Sequence, residues 1–166
     1  MNRLVIAVAV AASLAAASAA AQNKVSATLA SSAGNNVAGT VTFMQEGGKV
    51  IVIAEVTGLK PGPHGFHVHE KGDCSAPDFT SAGGHFNPGG KPHGDPAHAD
   101  HHAGDMPMLV ADASGKATLR SDVSFMSIGG ADGITGRAVV VHADPDDFKT
   151  QPAGNSGPRV ACGVIK

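Results

Sequence analysis

VAGTVTFMQEGGKVIVIAEVTG, residues 37–58, holds two runs rich in Val, Ile, Thr and Phe on either side of Glu46-Gly47-Gly48. Branched and aromatic residues of this kind favour strands, and a short glycine-bearing connection is of hairpin length. The same grammar recurs along the chain. Strands are expected at Lys24–Leu29, Val37–Gln45, Lys49–Thr57, Gly65–Glu70, Met108–Ala111, Ala117–Val123, Arg137–Ala143 and Val160–Ile165, with Asp112-Ala113-Ser114-Gly115 as a second hairpin loop. No stretch keeps a helical period over several turns. The fold class that follows is all-β: an eight-stranded antiparallel Greek-key sandwich or barrel with two long functional loops.

The first residues stand apart from this pattern. Arg3 gives a charged start, Leu4–Ala17 is apolar or small apart from one Ser, and Ala19, Ala20 and Ala21 precede polar Gln22 and Asn23. That order is the form of a secretory signal peptide over residues 1–21, leaving one domain at 22–166. The apolar run is shorter than the roughly 20 residues that cross a bilayer, so no membrane partner is expected. Export bears on the two cysteines, Cys74 and Cys162. An oxidising compartment favours pairing them, the alternative being two buried free thiols. With a net charge of −2, no basic run and neither Trp nor Tyr, the chain is not expected to bind nucleic acid.

Two segments break the strand rhythm, Lys71–Pro107 and Asp144–Pro158, and loops of such length are usually functional or disordered. Eight of the nine histidines lie between residues 64 and 102. His67 and His69 stand two apart in an expected strand, so both rings share a face. His142 ends another apolar run, and three imidazoles on rigid strands suit copper, zinc or nickel. His85, His93, His102 and Asp105 would make a second set, nitrogen and oxygen donors that describe a closed zinc site. The competing reading is a solvated histidine-rich loop that takes up divalent metals loosely.

GFHVHE, TSAGGHFNP, H-x-G-D, GRAVVVHADPDD and GNSGPRVACGVI follow one another across residues 64–165. In that order the blocks resemble copper/zinc superoxide dismutases. The resemblance implies one copper and one zinc per chain, with His67, His69, His85 and His142 on copper. It places His85, His93, His102 and Asp105 on zinc, His85 being the bridge. It also implies a Cys74–Cys162 disulfide, Arg159 and His85 as catalytic residues, and Asp146 as an outer carboxylate serving ligands of both metals. His64 becomes a structural histidine tying strand to loop. The implied substrate is superoxide, a small anion, with Lys149 and Lys91 as candidates to assist Arg159 in attracting it.

The match is imperfect near Cys74, which follows His69 closely. The subloop there shapes subunit contacts in the family, so a homodimer is compatible with the resemblance but no interface carries over. His98 and His101 are additional, and both are expected at the surface or in weak metal capture. His102 is preferred to His101 as the zinc ligand because H-x-G-D sets its distance to Asp105. A metal buffer without turnover and an adhesin-like sandwich are the rival readings; the second leaves His142 and Arg159 unexplained. Export places the protein in a bacterial periplasm or outside the cell.

Overall fold

The computed structural model describes residues 24–166, so the expected signal peptide at 1–21 and its cleavage point lie outside the described residues. Nine strands are formed: β1 (Lys24–Ser31), β2 (Ala38–Glu46), β3 (Lys49–Thr57), β4 (Gly62–His64), β5 (Phe66–His69), β6 (Leu109–Ala111), β7 (Ala117–Val123), β8 (Ala138–His142) and β9 (Arg159–Val164). Their order is β4-β6-β7-β3-β2-β1-β9-β8-β5, every pair antiparallel. β3 pairs with β7 and β1 with β9, the displaced pairings of a Greek key. The two outermost strands, β4 and β5, are one run of chain broken at Gly65. The sheet therefore nearly closes on itself as a barrel.

β4 is additional to the eight strands expected; Gly62-Pro63 is a pair more usual in turns than in strands. Proline lacks a backbone donor and is tolerated only where the strand has a free side. β4 provides one: it pairs with β6 alone, Pro63 opposite Val110. The break at Gly65 has a steric cause. A Cβ there would come within 2.7 Å of Ser156 Cβ and 3.1 Å of the His67 ring. Only glycine lets the second long loop lie this close to the strand.

Alternation sorts the side chains. On β2, Val41 and Phe43 are fully buried while Thr42 and Met44 face outward and are partly covered. They join Val52, Val56, Phe66, Val68, Leu109, Val139, Val141 and Ile165 in the barrel interior. β8 is buried on both faces. Val139 and Val141 face the interior, whereas Ala138 and Val140 pack outside with Phe79, Ala82 and Cys162. That outer cluster lies beneath the first long loop, which the Cys74–Cys162 disulfide pins to β9. A bridge closing 88 residues constrains the unfolded chain, worth roughly 4 kcal/mol in the chain-entropy account.

Candidate metal centre

His67 and His69 alternate with the core residues Phe66 and Val68, so their rings emerge on the outer face of β5. They stand opposite Val140 and Ala138 of β8, the strand that ends in His142. The first long loop is laced onto this wall by its backbone. Val68 N–H donates to Gly104 O, Phe86 N–H to Val68 O and Gly104 N–H to Phe86 O, each at 2.8 Å. His85 is thereby set against His69, and Asp105 against His67.

The resulting donors form two groups that share His85. His67, His69, His85 and His142 offer one ligand atom each within 4.8 Å of one another, and so do His85, His93, His102 and Asp105. All seven residues are buried. The expected ligand sets are thus both assembled, with His85 between them.

Whether these residues suit a metal is decided by what their lone pairs lack. His67 Nδ1 and His85 Nε2 are buried with no hydrogen-bond partner, and His93 Nδ1 meets only the Asp105 carboxylate, at 3.0 Å. An unpaired buried nitrogen costs about 1–3 kcal/mol, so two clustered ones, beside a third that meets only a carboxylate, fit a bound cation. The opposite ring nitrogens are occupied. His67 Nε2 lies 2.6 Å from Asp146 Oδ2 and His93 Nε2 2.9 Å from Asp146 Oδ1. His69 Nδ1 donates to Gly83 O at 2.9 Å and His142 Nδ1 to Gly157 O at 3.1 Å. The Nε2 atoms of His69 and His142 are left 3.4 Å apart, both free for a common ion. Each outer partner fixes the tautomer that a metal requires.

Electrostatics separates the two groups. Burial lowers His67 to about 4 and His142 to about 3, against the Asp146 hydrogen bond to the former and the Gly157 carbonyl to the latter. Burial also takes His69 well below its ordinary value. These imidazoles are neutral at neutral pH, the form that ligates. Burial pulls His93 the same way, but hydrogen bonds with Asp105 and Asp146 reverse the sign and raise it to about 9. Burial opposes ionisation of Asp105 and Asp146, yet hydrogen bonds from the histidines outweigh it and hold both well below the usual carboxylate range.

A pH dependence follows for zinc. Below pH 9 the metal-free His93 holds a proton that zinc must displace, so affinity rises with pH until the proton is gone. One displaced proton gives about tenfold tighter binding per pH unit. Chelator competition between pH 6 and 8 should show that slope; a flat affinity would contradict it.

Arg159 begins β9. Its Nη1 and Nη2 donate at 2.6 Å to Phe79 O and Gly83 O, so Gly83 O accepts from both the arginine and His69. His64 stands with Nδ1 2.8 Å from His142 O and Nε2 2.8 Å from Lys60 O, so it joins the end of β4 to the end of β8 and to the turn before β4. His102, not His101, enters the second donor group. His98 is exposed, its side chain at 77 %. His101 corrects the surface expectation: it is 6 % exposed, stacked edge-on against Phe125, and its Nδ1 donates to His102 O at 2.6 Å. Lys91 is committed to Ala99 O at 2.7 Å, whereas Lys149 is exposed in the second loop.

Two contributors escaped the sequence reading. Gln151 brackets a ligand's backbone, its Oε1 accepting from His93 N–H and its Nε2 donating to His93 O, both at 2.8 Å. Gly154 adopts φ +65°, and a Cβ there would run into the Asp146 carboxylate and come within 2.6 Å of His93 Nε2. The GNSGP block held Gly154 in view, but nothing in it says which ring it clears.

Comparison with known proteins gives a consistent result. The family model for copper/zinc superoxide dismutase (SODC) matches residues 37–165. A superoxide dismutase [Cu-Zn] of Deinococcus radiodurans is 44 % identical over 141 residues, 78 % of this chain and 78 % of that protein. Superoxide dismutase [Cu-Zn] 2 of Brassica juncea is 48 % identical over 136 residues, 78 % of this chain and 89 % of that one. Among solved structures, that of the clock protein EA4 superposes with a TM-score of 0.79 at 42 % identity, covering 86 % of this chain and 93 % of the other.

Proposed function

The chain belongs to the copper/zinc superoxide dismutase family, and from that premise we propose how its residues divide the work and where it operates. Its activity is the dismutation of superoxide to dioxygen and hydrogen peroxide. The observation that carries this is a four-histidine group and a three-histidine, one-aspartate group joined through His85. Copper, when bound, supplies one-electron redox cycling, and zinc supplies a redox-silent charge.

The chain's own part is to position and to move protons. Asp146, Gly83 O and Gly157 O hold His67, His69 and His142 in one tautomer each. His85 turns Nε2 to one group and Nδ1 toward Asp105 in the other. It is the imidazole placed to hold a proton at Nε2 and release it to the departing peroxide. Arg159, always charged, is fixed by two carbonyls beside His69 and serves to attract and orient the anion.

Steering of this kind is a local field effect, so an overall negative chain is no obstacle. Raising ionic strength should slow superoxide removal, and Arg159→Glu should remove most of that sensitivity while lowering the rate by about tenfold or more. Such factors fall in the range for steered enzymes, this family among them. Pulse-radiolysis rates across salt concentrations check it; an equally salt-sensitive variant would contradict the assignment.

The enzyme is further proposed to be of the bacterial secreted type, working in the periplasm. The signal-like residues 1–21 support this, and so does the disulfide, with no free cysteine among the described residues. Mass measurement of the protein recovered from a periplasmic extract tests it: a chain starting at Gln22 is expected, and a cytoplasmic chain still beginning at residue 1 would oppose it. A homodimer is compatible with the resemblance, and sedimentation at micromolar concentration tests it: twice the chain mass supports a dimer and the single chain mass opposes it.

A further inference from the structure

Met108, just ahead of β6, is a thioether hydrogen-bonded to the metal centre's outer frame. Its Sδ accepts a hydrogen bond from Asp146 N–H at 3.3 Å, across 38 residues of sequence. Asp146 is the carboxylate that holds His67 and His93 together. Met106 and Met126 are buried at 0 % and 6 % exposure, whereas Met108 is half-buried and opens onto a groove of about 510 Å³ shared with Val110, Phe125 and Phe148. The sulfur therefore has both a solvent approach and a structural job.

We propose that Met108 is a peroxide-oxidised modification site, through which the enzyme's own product loosens its hold on zinc. The proposal rests on dismutation as the local source of hydrogen peroxide. The Met108 sulfur attacks one peroxide oxygen; an S–O bond forms as the O–O bond breaks. Sulfur is oxidised by two electrons, and the peroxide is reduced and leaves as water. The sulfoxide is polar and chiral; its oxygen forms on the lone pair open to the groove, and it draws electron density from the sulfur that accepts from Asp146 N–H. The sulfur becomes a poorer acceptor and the new oxygen recruits water to the groove, so the bond from Asp146 N–H weakens and the segment carrying Asp146 shifts. Because that carboxylate fixes His93 Nε2, the movement reaches a zinc ligand. Metal affinity responds to such outer partners by about 10–100-fold.

The test supplies hydrogen peroxide from outside to the fully metallated protein, which makes the oxidation readout independent of dismutase activity. Peptide mass analysis should show one added oxygen on Met108 well before Met106 or Met126. Zinc transfer to a coloured chelator should quicken by about tenfold, the lower end of outer-partner effects, and a methionine sulfoxide reductase should reverse it. Met108→Leu should block the acceleration, while Met44→Leu, changing a half-buried methionine on β2, should not. Met108→Gln should release zinc faster without any peroxide. The proposal is overturned if Met108 stays unmodified while the buried methionines oxidise. It is equally overturned if Met108→Leu loses zinc under peroxide as fast as the parent, since the damage then lies in the ligands themselves.

Discussion

Replacing His142 by alanine is expected to lower superoxide removal by more than about 100-fold, since even outer partners of metal ligands cost 10–100-fold. The strand end makes this residue irreplaceable. β8 brings it across from His67 and His69, and its Nε2 stands 3.4 Å from that of His69. Among the described residues only His67, His69 and His85 join it in this donor group, so no further imidazole is on hand to replace it. The variant should keep the barrel, as Val139 and Val141 are untouched, and should still take up zinc at its usual level. Metal counting after purification separates the two outcomes: copper lost with zinc retained supports the assignment. Full copper with undiminished activity would remove His142 from the site.

Asp146→Ala carries the second large effect, and it should strike both metals. One carboxylate spans the two groups, Oδ2 to His67 and Oδ1 to His93. Removing it leaves two buried Nε2–H donors unpaired and frees both rings to turn. Affinity for copper and for zinc should each fall by about 10–100-fold. Competition against chelators measures both in one protein, and a change confined to one metal would show that the bridge is not shared. Asp146→Asn should fall between, because an amide accepts from one ring but presents its own donor to the other.

The hairpin at residues 37–58 was legible because its determinants are local: branched residues on either side of glycines. β3 and β7 appear with the bounds expected, Lys49–Thr57 and Ala117–Val123. β4 was not legible, since Pro63 argues against a strand unless the free edge is known. The ligands were legible as residue types at set spacings, and the seven of them meet as expected. What could not be read were contacts made by folding alone. Gln151 reaches His93 across 58 residues, Met108 reaches Asp146 across 38, and His101 packs on Phe125. No local pattern announces a side chain whose partner arrives from a different loop. The same holds for the backbone carbonyls of Phe79 and Gly83, which hold Arg159 and depend only on where the disulfide-anchored loop comes to rest.

His85 couples a copper site to a zinc site for superoxide turnover. The direct measurement strips the protein of metal and adds back zinc alone, copper alone, and both, counting bound metal and superoxide decay each time. Zinc alone should give no activity, full activity should need both metals, and about one copper per chain should be bound at the maximum. Tight binding of both metals with superoxide decaying no faster than in buffer would contradict it, leaving a protein that stores metal without turning substrate over.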